Sequence, residues 1–549
     1  MEKWIVVKNK KKDDYYVSLG ISGGYGKGYK RSISIGSLSV LEKTHENALD
    51  VLKQIAKTLP TDADKEYIKS KISEAFELTK VEFGTYNVGV ELLYKIIKDL
   101  ELFQGLEKGK KKQTEEIFEF LIAKRILEPE SMLRSFTNKH KFINEINVKK
   151  STVYNFLDFV AENKQKLVKN VNNKISEVTN RNVSLVFMDA TTLYFETFVN
   201  TNEDLKEKFT LKRAGYSKDG KFKEDQVVLG MVTDSNGIPL DFALLPGNVA
   251  DQKTLIPTIN ELGEIYNITN VTVIADKGMN QYQNKMWLKN NGLNYIFPVR
   301  LKGTSKKFKE YVVNETDYKE IDGLLCKEVE QVNIDAENNA MKVRQVVIYD
   351  KYKAKRDAAL RNEVIERFNK IKSTDGTATA RSMISYKKYK YFKEIQESKF
   401  AMDMDKVRED KKLDGYIVFE TTRWDLSIKE ILDIYKNQWR IENNFRDLKT
   451  TLETRPMFVR TDEHVLGHIT ICFIALVILN YLTWLVNKNQ AQKLGVLDKI
   501  TSQQILLAIK SAMVNFKKVD GVVVEEKMWS SDEIKEEIEL YHYILNLIK

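Results

Sequence analysis

The sequence predicts an α/β chain built on a mixed sheet, with a β-rich insertion inside it and a small β unit and a helical region ahead of it. Three observations carry this. The runs "VSLVFMD" (183–189), "VTVIAD" (271–276) and "GYIVFETT" (415–422) have consecutive apolar residues at their centres rather than an alternation, as in strands covered on both faces. "QVVLGMVTDSNGIPLDFALLPGN" (226–248) reads as two antiparallel strands joined at Ser235-Asn236-Gly237, a good hairpin turn. Helical spacing returns between and after the apolar runs, near 252–265, 280–291 and 427–452, so parallel and antiparallel strands share one sheet.

In order, residues 1–60 form a small basic β/α unit. Its strands are "WIVVKNKKKDDYYVSLGISGG" (4–24) and "KRSISIGSL" (30–38), and a helix over 44–59 stops at Pro60. Residues 61–180 are helical, with apolar positions three and four apart in "VELLYKIIKDLELF" (90–103) and "EEIFEFLIAKRIL" (115–127). "NVKKSTVYNFLDFVAENKQKL" (147–167) suits either a groove-reading helix behind a turn or plain bundle packing. The sheet's first part spans 181–300 and ends with the strand "NYIFPV" (294–299). Residues 301–415 turn Lys/Glu/Asp-rich and largely β, with "LLCKEVEQVNI" (324–334), "KVRQVVIYD" (342–350) and a charged helix at 354–371. The sheet resumes over 416–490 with helices at 427–452 and 462–487, and 491–549 is read as a C-terminal helical region.

A chain of 549 residues exceeds one ordinary core, and 42% hydrophobic residues mark it as globular. The balance of 88 basic and 78 acidic side chains leaves +10, which favours a polyanionic partner without proving one. Two distant cysteines, Cys326 and Cys472, and five histidines argue against a disulfide framework or a zinc cluster, and fit a reducing cytoplasm. The N-terminus lacks the apolar region of a signal peptide. "ITICFIALVILNYLTWLV" (469–486) reaches the lower edge of membrane-spanning length. It contains Thr470, Asn480 and Thr483 and stands alone, so a buried core helix is expected and no membrane.

A carboxylate at the end of a buried strand is costly unless something neutralises it. Asp189 and Asp276 each end an apolar run, the strand end where open α/β sheets place their sites. Glu442 lies in "YKNQWRIENNFRDLK" (435–449), where Tyr435, Glu442 and Lys449 are spaced to share one helical stripe. Trp439, Ile441, Phe445 and Leu448 can supply the helix's buried side, with Glu442 partly buried among them. Singly, each acid reads as readily as a cap, a turn former or a solvated face. Together, three carboxylates suit hard divalent cations, and two such ions can clamp an in-line phosphoryl displacement.

The chain resembles bacterial insertion-sequence transposases of the DDE type, in the group carrying a Tyr-Arg-Glu-Lys signature. The resemblance rests on "FMDATTLYFE" (187–196), "GYSKDGKFKEDQVVLGMV" (215–232), "PGNVADQKTL" (246–255), "VIADKGMNQYQN" (273–284) and "QWRIENNFRDLKTTLETRP" (438–456), with "RILEPESMLRS" (125–135) upstream. It implies a ribonuclease-H-like catalytic core with a β-rich insertion before the Glu. It implies Asp189, Asp276 and Glu442 as catalytic ligands of two Mg²⁺ or Mn²⁺ ions. Tyr435 and Lys449 then contact terminal phosphates, with Arg440 and Arg446 as further DNA contacts. Gln438 stands at the signature's Arg position, and Arg440, two places on, is turned by about 200°. Thr192 and Asn248 line the site or serve as strand-end hydrogen bonders. The implied activity is hydrolysis at an element's end followed by attack of the freed 3′-OH on a second phosphodiester. Partners would be double-stranded DNA, as terminal inverted repeats and target, and a second copy of the chain, in the bacterial cytoplasm at the nucleoid. The alternative is an inactive or domesticated relative that only binds DNA.

Overall fold

The computed structural model describes residues 3–11, 14–24, 28–43, 45, 47–76, 81–106, 111–138, 149–198, 210–217, 220, 224–266, 268, 270–334, 340–379, 391–397, 399–494, 499–519, 522–528 and 532–548. They form two compact units, one of residues 1–162, 451–453 and 467–549, the other of 163–450 and 454–466.

The first unit starts with an antiparallel sheet of β1 (Trp4–Lys11), β2 (Asp14–Ser22) and β3 (Tyr29–Ser37). Helices α1 (Leu38–Leu41), α2 (Ala48–Thr58) and α3 (Lys65–Phe76) share its core. Period-2 alternation sends Val17, Leu19 and Ile21 inward against Leu52, Ile68 and Phe76. Pro60, which ends the helical run, accepts a 2.8 Å bond from the Trp4 indole N–H. Then come β4 (Val81–Asn87), α4 (Gly89–Asp99), α5 (Lys111–Leu127), α6 (Met132–Thr137) and α7 (Lys150–Glu162). The strand β4 corrects the all-helical reading of this region. Residues 147 and 148 of the candidate groove-reading stretch lie outside the described residues.

The second unit opens with α8 (Lys164–Thr179) and holds a nine-stranded sheet. Its strands and helices follow as β5 (Leu185–Phe198), β6 (Glu224–Thr233), β7 (Pro239–Pro246), α9 (Leu255–Ile265), β8 (Thr272–Ala275), α10 (Tyr282–Asn290) and β9 (Asn294–Pro298). Next are α11 (Lys306–Val313), β10 (Lys319–Ile321), β11 (Leu324–Ile334), β12 (Ala340–Tyr349) and α12 (Lys351–Ile371). A separate small sheet of β13 (Ala378–Thr379), β14 (Phe392–Gln396) and β15 (Lys399–Met402) precedes α13 (Met404–Lys412) and β16 (Tyr416–Thr421).

The strand order is β10-β11-β12-β16-β9-β8-β5-β6-β7. The central β5, β8 and β9 are parallel, and β6 and β7 add antiparallel beyond β5. Part of what reads as a β-rich insertion is therefore the sheet's own continuation: β12 pairs with β16, so β10–β12 extend the edge. The charged sequence misleads because β11, near that edge, exposes one polar row.

Alternation divides the sheet's core. Val186, Met188, Val273 and Ala275 pack with Leu255, Ile259 and Leu288 of α9 and α10. Phe187 and Ile274 face the other way, towards Phe419 and Ile431, Leu432 and Tyr435 of α14 (Ile428–Lys436).

The helix expected over 427–452 is three pieces. After α14 comes a joint at Asn437–Gln438, whose N–H groups reach only three residues back. Then come α15 (Trp439–Arg446) and a π-helical turn, Asp447–Thr451. Beyond it, α16 (Asp462–Leu494) contains the apolar stretch. Within residues 462–489 the most apolar 18-residue window has the mean hydropathy of a membrane span, 2.3, but 78% of that window is buried, and Ile474–Leu479 expose no surface. That is the expected buried core helix. Finally α17 (Ser502–Ser511), β17 (Met513–Val519), β18 (Val522–Met528) and α18 (Lys535–Leu547) belong to the first unit. The hairpin β17–β18 corrects the all-helical reading of the C-terminus; β17 pairs with β4, a partner more than 400 residues away in sequence.

Candidate active site

The two aspartates meet through register. In the parallel pair β5–β8, Met188 lies opposite Ala275, so the next residue of each chain, Asp189 and Asp276, stands side by side. Period 2 then decides their direction. Asp189 follows Phe187 by two and Asp276 follows Ile274 by two, so both carboxylates share the face that α14 covers. Each is half-buried. The Asp189 carboxylate accepts a 2.7 Å bond from the Ala190 N–H. The carboxylates of Asp276 and Glu442 form no hydrogen bond or ion pair among the described residues.

Tyr435 closes this face. Its ring packs against Phe419 with centroids 4.5 Å apart and the planes tilted by 57°. Burial raises its hydroxyl well above the usual phenol range, and the charges of Asp276, Glu442 and Asp189, in that order, raise it further. All three carboxylates therefore act on one hydroxyl, which stays protonated as a donor. Glu442 itself is exposed, and so is Trp439 at 52%, which corrects the expectation of a partly buried Glu beside a buried Trp. Ile441, Phe445 and Leu448 do form the buried flank. At about 100° per residue, three faces result: Ile441 and Phe445 inward, Arg440 and Asn444 on a second side, Glu442 and Arg446 on the third. Among the described residues, no three His, Cys, Asp or Glu side chains close to metal-holding distance. The acids are gathered around Tyr435 without forming a finished ligand cage.

The other expected contacts differ. Arg440 is half-buried and donates from Nη1 to the Asn236 carbonyl at 2.8 Å. Arg446 is exposed beside Glu442, and Lys449 is half-buried in the π turn. Gln438 is buried, and its side-chain oxygen has no partner among the described residues. Thr192 lies three places beyond Asp189, so alternation turns it to the opposite face, where it is buried. Asn248 is exposed beyond β7.

Sequence reasoning missed a groove of about 820 Å³ that begins at Asp276 and Tyr435. Lys277 and Arg300 line it together with Arg356 and Leu360 of α12. The helix α12 is held against the sheet by Arg361–Asp414, 2.5 Å, and by the Gly415 N–H on Asp357, 3.1 Å. Its basic residues are visible in the sequence, but nothing local says that this helix folds back beside Asp276.

Against known families, residues 183–478 match the Transposase DDE domain. The chain belongs to the DDE transposases. The match runs from the start of β5 into α16 and takes in Asp189, Asp276, Tyr435, Glu442 and Lys449. No curated protein matches the sequence. The candidate site of this DDE transposase is where two parallel strands and a broken helix carry the expected acids, and DNA is the substrate that its family implies.

Proposed function

We propose that this DDE transposase cuts the phosphodiester at the ends of a bacterial insertion sequence and joins the freed 3′-OH to a second phosphodiester. The observation that carries this reading is the β5–β8 register, which sets Asp189 beside Asp276 on the face that Tyr435 covers, where the charges of Asp276, Glu442 and Asp189 all raise the Tyr435 hydroxyl. The strand order β7-β6-β5-β8-β9, with its antiparallel β6 and β7, supports a ribonuclease-H-like core. The spacing of Tyr435, Glu442 and Lys449 supports the Tyr-Arg-Glu-Lys group, with Gln438 as this chain's departure.

The donor set fits a hard divalent cation. It is all oxygen, two carboxylates are neighbours in register, and among the described residues no protein cation pairs with Asp276 or Glu442. Asp189, Asp276 and Glu442 would hold two Mg²⁺ or Mn²⁺ ions, which would neutralise charge on the attacking and leaving oxygens. The chain's own groups do the rest. The protonated Tyr435 hydroxyl donates to a non-bridging phosphate oxygen. Lys449 and Arg446 supply positive charge to the neighbouring backbone. The half-covered strand ends keep bulk water from one side of the reacting phosphate. Joining two ends calls for two active sites, so we propose a homodimer on DNA, acting on the cytoplasmic chromosome.

The test is incubation of the full chain with duplexes taken from the DNA flanking its own coding region, with Mg²⁺ or Mn²⁺. Nicking and strand joining by wild type but not by Asp276→Ala supports the proposal. Binding by both proteins with cutting by neither overturns it in favour of a DNA binder.

A further inference from the structure

We infer that the β6–β7 turn is a latch that sets the position of Glu442, and that Arg440 and Asn444 are positioning residues rather than DNA contacts. This rests on the reading of Glu442 as a carboxylate of the reaction centre.

The helix carrying Glu442 has only eight residues, Trp439–Arg446. It is cut off from α14 by the Asn437–Gln438 joint and followed by a π turn. Two helical turns are not stable on their own, and joints at both ends leave the neighbouring helices little leverage over its tilt. Its orientation must come from tertiary contacts. One flank, Ile441 and Phe445, is buried. Apolar packing fixes depth well and rotation poorly, because it has no direction.

Rotation is fixed by two hydrogen bonds. Arg440 Nη1 donates to the Asn236 carbonyl and Asn444 Nδ2 to the Gly237 carbonyl, each at 2.8 Å. One side-chain pair four apart on the helix thus grips two successive carbonyls of the turn. The approach is close. Gly237 has φ +85°, and a Cβ there would come within 3.1 Å of the Arg440 side chain. A glycine is needed for the backbone angle and for the contact. The guanidinium is half-buried, and its Nη1 is engaged by the turn rather than free to meet phosphate.

The turn is itself anchored from below. The fully buried Asp234 accepts from the Asn236 and Ile238 N–H groups, both at 2.9 Å, and pairs with Arg181 Nε at 2.7 Å. Arg181 also bonds Asn172 of α8. A continuous polar chain therefore runs from α8 through the turn to the back of α15. Glu442 lies about 200° around the helix from Arg440, so the grip is behind and the carboxylate is presented in front.

The experiment compares wild type, Arg440→Ala, Asn444→Ala and Glu442→Gln as full chains. It measures Mn²⁺ binding without DNA by electron paramagnetic resonance, and duplex affinity at several salt concentrations. We expect Arg440→Ala and Asn444→Ala to weaken Mn²⁺ binding by about tenfold, as losses of outer-shell partners do, with duplex affinity and its salt slope unchanged. Gly237→Ala keeps both gripping side chains and displaces only the turn. It should weaken Mn²⁺ binding in the same way and stands in if Arg440→Ala does not fold. Unchanged Mn²⁺ binding with a salt slope reduced by about one charge makes Arg440 a DNA contact and overturns the latch. Unchanged values for both make the turn mere packing and overturn it too. If Glu442→Gln binds Mn²⁺ as wild type does, the reaction-centre reading has failed first, and the latch with it.

Discussion

Replacing Tyr435 with phenylalanine removes one oxygen and leaves the ring where it is. The ring's place is set by Phe419, 4.5 Å away, and by the apolar cluster with Phe187 and Ile274. The urea midpoint should therefore stay at the wild-type value. What goes is a hydroxyl that burial and three carboxylates keep protonated. A hydrogen bond to a charged group is worth about 1.5–3 kcal/mol. Half-burial of the site puts the expected loss near the lower end, about 1.5–2 kcal/mol, and each ~1.4 kcal/mol is a factor of ten in rate. Tyr435→Phe should cut DNA roughly 10–30-fold more slowly in kcat/KM, measured as nicking of a labelled duplex from the flanks of the coding region. Tyr435→Ala should also lose the aromatic pair, about 0.5–1.5 kcal/mol of stability, and more through the cavity left behind. Nicking by Tyr435→Phe at the wild-type rate, with stability unchanged, would refute the hydroxyl's role.

Asp189→Asn, Asp276→Asn and Glu442→Gln should each lower cleavage by roughly three orders of magnitude, and a chelator should abolish it reversibly; gel assays of nicked product check this. Lys285 pairs with the buried Glu420 at 2.7 Å, and Tyr295 and Gln345 donate to the same carboxylate at 2.8 Å. Glu420→Ala should destabilise the protein by about 3–5 kcal/mol in urea, because it strands a buried ammonium, whereas Lys285→Met combined with Glu420→Leu should cost much less. Burial pushes Asp241 up to about 6, against the attraction of Lys164. Its folded value exceeds its unfolded one, so its stabilising contribution is present below about pH 4 and is lost as pH rises through about 6. Asp241→Asn should therefore gain on wild type in urea midpoint between pH 4 and 7, and parallel pH profiles of the two would contradict this.

The carboxylates at strand ends were legible because each ends an uninterrupted apolar run, and "VFMD" and "VIAD" carry that pattern without context. The hairpin at Asn236-Gly237 was legible because its turn chemistry is local. The strand β4 was not, since its partner β17 lies at the far end of the chain and only pairing makes it a strand. Nor were β10–β12 recognisable as sheet, because β11's exposed row reads like a solvated insertion. The break at Asn437–Gln438 escaped notice because both residues keep helical backbone angles and only the hydrogen-bond ladder lapses there. Reading one continuous helix made Arg440 a candidate for DNA, whereas folding spends it on a carbonyl.

Composition and local pattern by themselves pointed to a mixed α/β fold, to three acidic candidates and to the chemistry that such a set can perform, because apolar periodicity and residue type are properties of the chain alone. Which acids stand together, which cation is withdrawn into a turn and which basic helix lines the groove were decided only by tertiary structure. Those outcomes depend on strand register and on contacts between residues far apart in sequence, and such contacts leave no periodic signal to read.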